Sequence, residues 1–172
     1  MKIMYAPWRG SYIKDTNKTR DKKSRKNDCV FCQHISESND KSNLVVRRFP
    51  NCFACLNLFP YSSGHVLVIP NEHIGELEDV SADVQSEIMH TTSLVTQALK
   101  KSLHPDGFNI GINLGNAGGG GIPAHMHVHV LPRWTADTNY MTTISDTRVL
   151  SVDLYEVYDK IKESLDELCE RK

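Results

Sequence analysis

The chain has 172 residues, 40% of them hydrophobic and 24% charged, with a formal net charge of −1. That length fits one domain with extensions and a real core, and the near-neutral balance excludes a globally basic nucleic-acid binder or a protein drawn to an anionic membrane by overall charge. No apolar run is long enough for a membrane span or a secretory h-region. Five cysteines, an odd number, fit a reducing, cytoplasmic setting, where thiols are more often metal ligands or core residues than disulfides.

Residues 1–15 contain Tyr5-Ala6-Pro7-Trp8-Arg9-Gly10-Ser11-Tyr12-Ile13, too aromatic for a solvated tail. This arm is expected to dock on the body of the fold or on a partner subunit. Residues 16–28 are polar and basic (Lys18, Arg20, Lys22, Lys23, Arg25, Lys26) and read as a linker. The organisation expected is therefore arm and linker at 1–28, a core domain at 29–134 and an extension at 135–172. Strand-like runs fall at 44–49, 51–58 and 65–69, the last two joined by the turn signal Pro60-Tyr61-Ser62-Ser63-Gly64. Residues 81–103 read as a helix, with Ser81 at the N-cap and Val84, Ile88, Val95 and Leu99 on one apolar stripe. His104-Pro105-Asp106-Gly107 ends it, and Phe108–Asn113 alternates as another strand. After a polar connection at 135–150, a second amphipathic helix is expected over 152–170, with Leu154, Val157, Ile161, Leu165 and Leu168 on its stripe. Short hairpin-linked strands around one long helix predict an antiparallel α+β fold.

The most telling stretch is His125-Met126-His127-Val128-His129-Val130-Leu131. Period-two alternation predicts a strand that buries Met126, Val128 and Val130 and projects three imidazoles from the opposite face, roughly 7 Å apart. Taken alone, such a row suits metal chelation and phosphate chemistry equally. Just upstream lies Gly118-Gly119-Gly120-Gly121. Consecutive glycines cost chain entropy unless their backbone is used, and a glycine backbone can offer N–H groups to an anion. A flexible loop is the plainer account of the run, but its place directly before the histidines favours a phosphate site.

These residues match a family. The histidine row, with Asn113-x-Gly115 and the glycine loop upstream, resembles the histidine triad (HIT) nucleotidyl hydrolases and transferases. Ala54-x-x-Asn57 and Pro60-Tyr61-x-x-Gly64-His65-Val66-Leu67-Val68-Ile69-Pro70 resemble the family's first half. The opening Ala6-Pro7-Trp8-Arg9-x-x-Tyr12-Ile13 resembles the branch that includes diadenosine tetraphosphate phosphorylases. The resemblance implies a HIT fold: an antiparallel sheet of about five strands with a long central helix and a C-terminal helix. It implies a catalytic row of His125, His127 and His129, with His127 the nucleophile that forms a covalent nucleotidyl-histidine and His129 contacting the α-phosphate. A neutral imidazole is chemically suited to that role, and a main-chain carbonyl on the strand would fix its tautomer. Nucleotide binding is implied for Asn57 (ribose), Asn113 (phosphate side) and Gly118, Gly119, Gly120 and Gly121, beside His127 and His129. The stretch between Asn113 and His125 departs from some branches by one extra residue, and glycines replace the usual side-chain donor. Backbone donors must then carry more of the phosphate binding.

Cys29-Val30-Phe31-Cys32 has metal-ligand spacing, a weak signal by itself. Cys52 and Cys55 do not complete it, because residues three apart on a strand point to opposite faces. The resemblance instead implies one structural zinc held by Cys29, Cys32, His73 and His125, with no organic cofactor. The implied substrate is a dinucleoside polyphosphate, with inorganic phosphate or water as acceptor and neither nucleic acid nor membrane as partner. A homodimer through the 81–103 helix and the strand at Phe108, or a dimer of dimers, is expected from the uncovered sheet edge. Two other readings stay open: a hydrolase of adenylylated amines or of the same polyphosphate, and a non-catalytic nucleotide sensor. His65 reads as a turn or core histidine, and His34, His90 and His104 as surface or helix histidines.

Overall fold

A computed structural model describes residues 28–137 and 153–170. The aromatic arm, the basic linker up to residue 27, Arg9, Lys14 and most of the polar connection lie outside the described residues. Five strands form one sheet: β1 (Val45–Arg48), β2 (Cys52–Leu56), β3 (Val66–Pro70), β4 (Gly107–Ile112) and β5 (Val128–Arg133). All neighbours are antiparallel in the order β1-β2-β3-β5-β4. Among the described residues three α-helices accompany them: α1 (Val30–Ser36), α2 (Ala82–Leu103) and α3 (Leu154–Glu170). The long α2 carries the chain from β3 to the far edge, and β5 returns between β3 and β4.

β2 and β3 are buried at every position, because both faces of the sheet are covered. One face packs Val46, Cys52, Ala54, Val66, Val68, Val128 and Val130 against Val95 and Leu99 of α2 and Ile161 and Leu165 of α3. Burying side chains of this size stabilises by about 1.5–3 kcal/mol each. The other face gathers Val45, Phe53, Cys55, Leu67 and Ile69 under Phe31 of α1. Cys52 and Cys55 thus lie on opposite faces, as strand parity requires. The same parity puts His129, partnered in register with Leu67 and Gly111, on the α1 face. One face of the sheet therefore carries the larger core, and the other a smaller one beside His129.

Local signals explain the element ends. The Ser81 side chain accepts the Val84 N–H at 3.4 Å, and His104 closes α2 in the left-handed region at φ 50° ahead of Pro105. The β2–β3 hairpin turns at Gly64, whose φ is +77° and where a Cβ would stand 2.5 Å from Leu103 Cδ1. Only glycine fits both constraints. On α3, Val157, Ile161 and Leu165 are buried on the expected stripe, and the Tyr158 hydroxyl donates to the Val45 carbonyl at 3.0 Å. That bond ties the C-terminal helix to the edge strand β1.

Candidate active site

The regular ladder of β5 begins at Val128, three residues later than the alternation predicts. The lead-in Ala124–His127 bonds elsewhere: the His125 N–H donates to the Ile122 carbonyl at 3.1 Å and the Met126 N–H to the Ile74 carbonyl at 2.7 Å. Its alternation nevertheless survives. Met126, Val128 and Val130 enter the core, while His127 and His129 sit with ring centroids 4.8 Å apart on the other face. All three imidazoles are buried, and burial lowers the pKa of each, to about 4 for His125 and His129. The row is neutral at pH 7.

Hydrogen bonds fix which nitrogen of each ring carries the proton. His127 Nδ1 lies 3.0 Å from the His125 carbonyl oxygen, so Nδ1–H donates and Nε2 keeps its lone pair. For His129 the decisive group is a backbone N–H two bonds away. The Tyr61 N–H donates to His65 Nδ1 at 3.2 Å, and the Asn57 side-chain amide lies 3.3 Å from the same atom. His65 Nδ1 is thus an acceptor, and its Nε2–H donates to His129 Nδ1 at 2.9 Å. His129 then holds its proton on Nε2; the atom 3.4 Å from it is Asn113 Nδ2, so Asn113 could accept that proton only with its carboxamide flipped. His65 is fully buried and is the working residue that sequence reasoning set aside as a turn or core histidine. Its only signal was its position beside the hairpin, which does not reveal that β3 and β5 are neighbours.

The site opens into a cavity of about 590 Å³ lined by His127 and His129, by Gly119, Gly121 and Ile122, by Asn57 and by residues of α1. Of the four glycines expected to bind phosphate, Gly119 and Gly121 line it and Gly118 and Gly120 do not. The N–H groups of Gly119 and Gly120 are already donated within the loop, to the carbonyls of Asn116 and Gly115 at 3.1 and 3.2 Å. Glycine at 118 has a packing reason, since a Cβ there would fall 2.2 Å from the Leu114 carbonyl oxygen. Asn57 lines the cavity, with its side-chain oxygen accepting the Phe59 N–H at 3.0 Å. Asn113 reaches the site through His129. Among the described residues no Lys or Arg lines the cavity. Arg133, at the end of the histidine strand, pairs with Asp137 at 2.5 Å and bonds Asn109.

Behind the histidine row, Cys29, Cys32, His73 and His125 converge, with their ligand atoms all within 4.8 Å of one another. Cys32 Sγ stands 3.2 Å from His73 Nδ1, and Cys29 Sγ 3.4 Å from His125 Nδ1. Tetrahedral zinc with bonds of about 2.0–2.3 Å sets its ligands about 3.3–3.8 Å apart, so these residues fit a metal of that kind. His125 Nε2–H donates to the Pro70 carbonyl at 2.9 Å, which leaves Nδ1 free to ligate.

Because burial holds His129 neutral down to a pKa of about 4, and an unfolded histidine protonates near 6.5, the stability this residue contributes is complete above about pH 6.5. It is lost as pH falls toward 4. Thermal unfolding between pH 7 and 4.5 should show a shallower acid loss in His129→Asn than in wild type; identical slopes would overturn this assignment.

Residues 38–136 match the HIT domain family. The AP-4-A phosphorylase of Mycobacterium tuberculosis is 36% identical over 147 residues, 86% of this chain and 75% of that protein. An adenylylsulfatase of Arabidopsis thaliana is 33% identical over 111 residues, 64% of this chain and 55% of that protein. A Zn-bound histidine triad family protein from Mycobacterium smegmatis superposes with a TM-score of 0.70 at 26% identity, covering 86% of this chain and 100% of that one. By the domain match over residues 38–136 and the 36% identity over 86% of its length, this chain belongs to the HIT domain family.

Proposed function

We propose that this protein transfers a nucleotidyl group through a covalent intermediate on His127, cleaving a dinucleoside polyphosphate such as diadenosine tetraphosphate by phosphorolysis. The observation that carries this reading is the unprotonated Nε2 of His127, left free when Nδ1 bonds the His125 carbonyl and opening onto the cavity. The Nε2 lone pair attacks the α-phosphorus, an N–P bond forms, and the P–O bond to the departing polyphosphate breaks with its electron pair. Positive charge arising on the ring is stabilised through Nδ1–H by the His125 carbonyl, and the His129 Nε2–H donates to an α-phosphate oxygen. A phosphate oxygen then attacks the same phosphorus and restores His127, so that diadenosine tetraphosphate yields ATP and ADP. Asn57 serves the ribose, and Gly119 and Gly121 border the phosphates.

Likeness to the Mycobacterium tuberculosis AP-4-A phosphorylase supports phosphate as acceptor. One observation favours a second reading, hydrolysis: no Lys or Arg among the described residues lines the cavity to hold a second anion. Water as acceptor gives ATP and AMP. Wild type incubated with diadenosine tetraphosphate should make ADP only when phosphate is present, whereas AMP as main product in millimolar phosphate selects the hydrolase. His127→Gly should lose several orders of magnitude in turnover while nucleotide affinity persists; retained turnover rejects the nucleophile, and no cleavage by wild type promotes the sensor.

In our reading the Cys29, Cys32, His73 and His125 cluster holds zinc. A closed four-ligand zinc is structural and would tie the segment before α1 to the start of the histidine strand. Five cysteines without a disulfide suit a reducing, cytoplasmic setting. Elemental analysis should find about one zinc per chain, lost in Cys32→Ser and retained in Cys52→Ser; a metal-free wild type purified without chelator would refute it.

A homodimer is the assembly we propose. β4 is a sheet edge that leaves Ile110 49% exposed, and Met89 of α2 is 66% exposed; a second copy pairing on this edge would cover unsatisfied strand groups. Light scattering at micromolar concentration should give at least twice the 19.4 kDa chain mass, and a monomer mass contradicts the pairing.

A further inference from the structure

The Tyr61 ring has no part in the chemistry above, which uses only the backbone N–H of that residue. The ring lines the cavity and lies almost parallel to the His129 ring, with centroids 5.9 Å apart and an interplanar angle of 15°. It also leans on His65, at 4.8 Å and 39°. His65 and His129 themselves stand 5.1 Å apart, so the three rings form one cluster. Exposure is graded across it: His65 is 0% exposed, His129 7% and Tyr61 45%. Tyr61 is the outer layer of the cluster.

The pair beneath it depends on staying dry. The His65 Nε2–H bond to His129 Nδ1, 2.9 Å long, exists only while His129 is neutral, because protonation would put a hydrogen on the accepting atom. Such a bond is strong where water does not compete for its partners. β3 and β4 flank His129 with Leu67 and Gly111. The polar and aromatic groups that face its ring are His65, His127, the Asn113 amide and Tyr61. None of them is a carboxylate or a fixed cation. Burial is accordingly the main cause that lowers the His129 pKa, with the neighbouring His127 second. The ring stacked on His129 at the cavity is that of Tyr61.

We propose that Tyr61 is a positioning residue for the nucleotidyl transfer: its ring seals the His65–His129 hydrogen bond from water and thereby keeps the His129 Nε2–H in place. The kinetic part of this assignment rests on the nucleotide reading above. The seal needs the aromatic ring and not the hydroxyl, because stacking and shielding are properties of the ring. Opening it would let water solvate a His129 cation, which would sever the bond from His65. That cation would also stand 4.8 Å from the His127 ring, on which attack at phosphorus places positive charge, and like charges so close oppose each other. An aromatic face can itself attract a cation. The direction in which the His129 pKa moves when the ring is removed therefore separates a seal from a cation platform.

The test is an NMR titration of the histidine ring nitrogens in the full chain, with turnover of diadenosine tetraphosphate measured on the same variants. In wild type His129 should stay unprotonated from about pH 7.5 to about pH 5. Tyr61→Ala should bring its protonation into that range, toward the ordinary value near 6.5. The same variant should lower kcat about tenfold, roughly the worth of one oriented hydrogen bond, with a smaller change in KM. Tyr61→Phe, which keeps the ring, should match wild type in both readouts. A His129 pKa unchanged or lowered in Tyr61→Ala overturns the seal, as does a Tyr61→Phe that behaves like Tyr61→Ala. A raised KM with kcat intact makes Tyr61 cavity wall alone and overturns the positioning role. If wild type cleaves no dinucleoside polyphosphate, the nucleotide reading fails, and the titration by itself decides whether Tyr61 seals the pair.

Discussion

Each polar group of His125 is committed to a different part of the molecule. Its Nδ1 faces the two cysteines, its Nε2–H holds the end of β3 through the Pro70 carbonyl, and its carbonyl takes the proton of His127 Nδ1. One residue therefore joins the metal-ligand cluster, the central sheet and the tautomer of the neighbouring imidazole. The joint is fully buried, where hydrogen bonds are strong and an unmade one is costly. This explains how His127 can present a lone pair reliably without a carboxylate partner: the acceptor is a backbone atom that cannot rotate away.

His129 is oriented by the same device at one remove. A backbone N–H, that of Tyr61, fixes His65, and His65 fixes His129. Two adjacent histidines are thus set in opposite senses, one with Nε2 bare and one with Nε2 protonated. In the proposed reaction neutrality matters as much as orientation, because a protonated imidazole cannot attack phosphorus. Burial supplies it. In a cavity without Lys or Arg walls among the described residues, the proposed phosphate binding would rest on directed hydrogen bonds rather than on net positive charge.

The sheet gives its larger core to one face and the imidazoles of His127 and His129 to the other. Met126, Val128 and Val130 anchor the histidine strand in the core beneath α2 and α3, which holds the intervening imidazoles on the α1 side. A one-residue slip of β5 would exchange the two sets, sending three histidines into the apolar core. The packing of ten or more aliphatic side chains on the helix-covered face is what makes that register unique. α1, only seven residues long, then closes the other face with Phe31, placed by the two cysteines that flank it.

Much of this was legible in the sequence because it is local. The period-two histidines, the helix from Ser81 to His104, the turn at Gly64 and the opposed faces of Cys52 and Cys55 each follow from spacing within a few residues. So does the stripe of α3. The HIT resemblance added the grouping of Cys29 and Cys32 with His73 and His125, which spacing alone left open. Other features required the folded chain. His65 and His129, 64 residues apart, meet because β3 and β5 are neighbours in the sheet. The glycine loop folds back on itself and uses two of its own N–H groups, so a run that reads as four anion donors brings only Gly119 and Gly121 to the cavity. Arg133 shares the parity of the histidines, yet Asp137 and Asn109 claim it. In each case the deciding quantity is which distant partner satisfies a donor or an acceptor, and strand order and loop closure set that; neither is encoded in local periodicity.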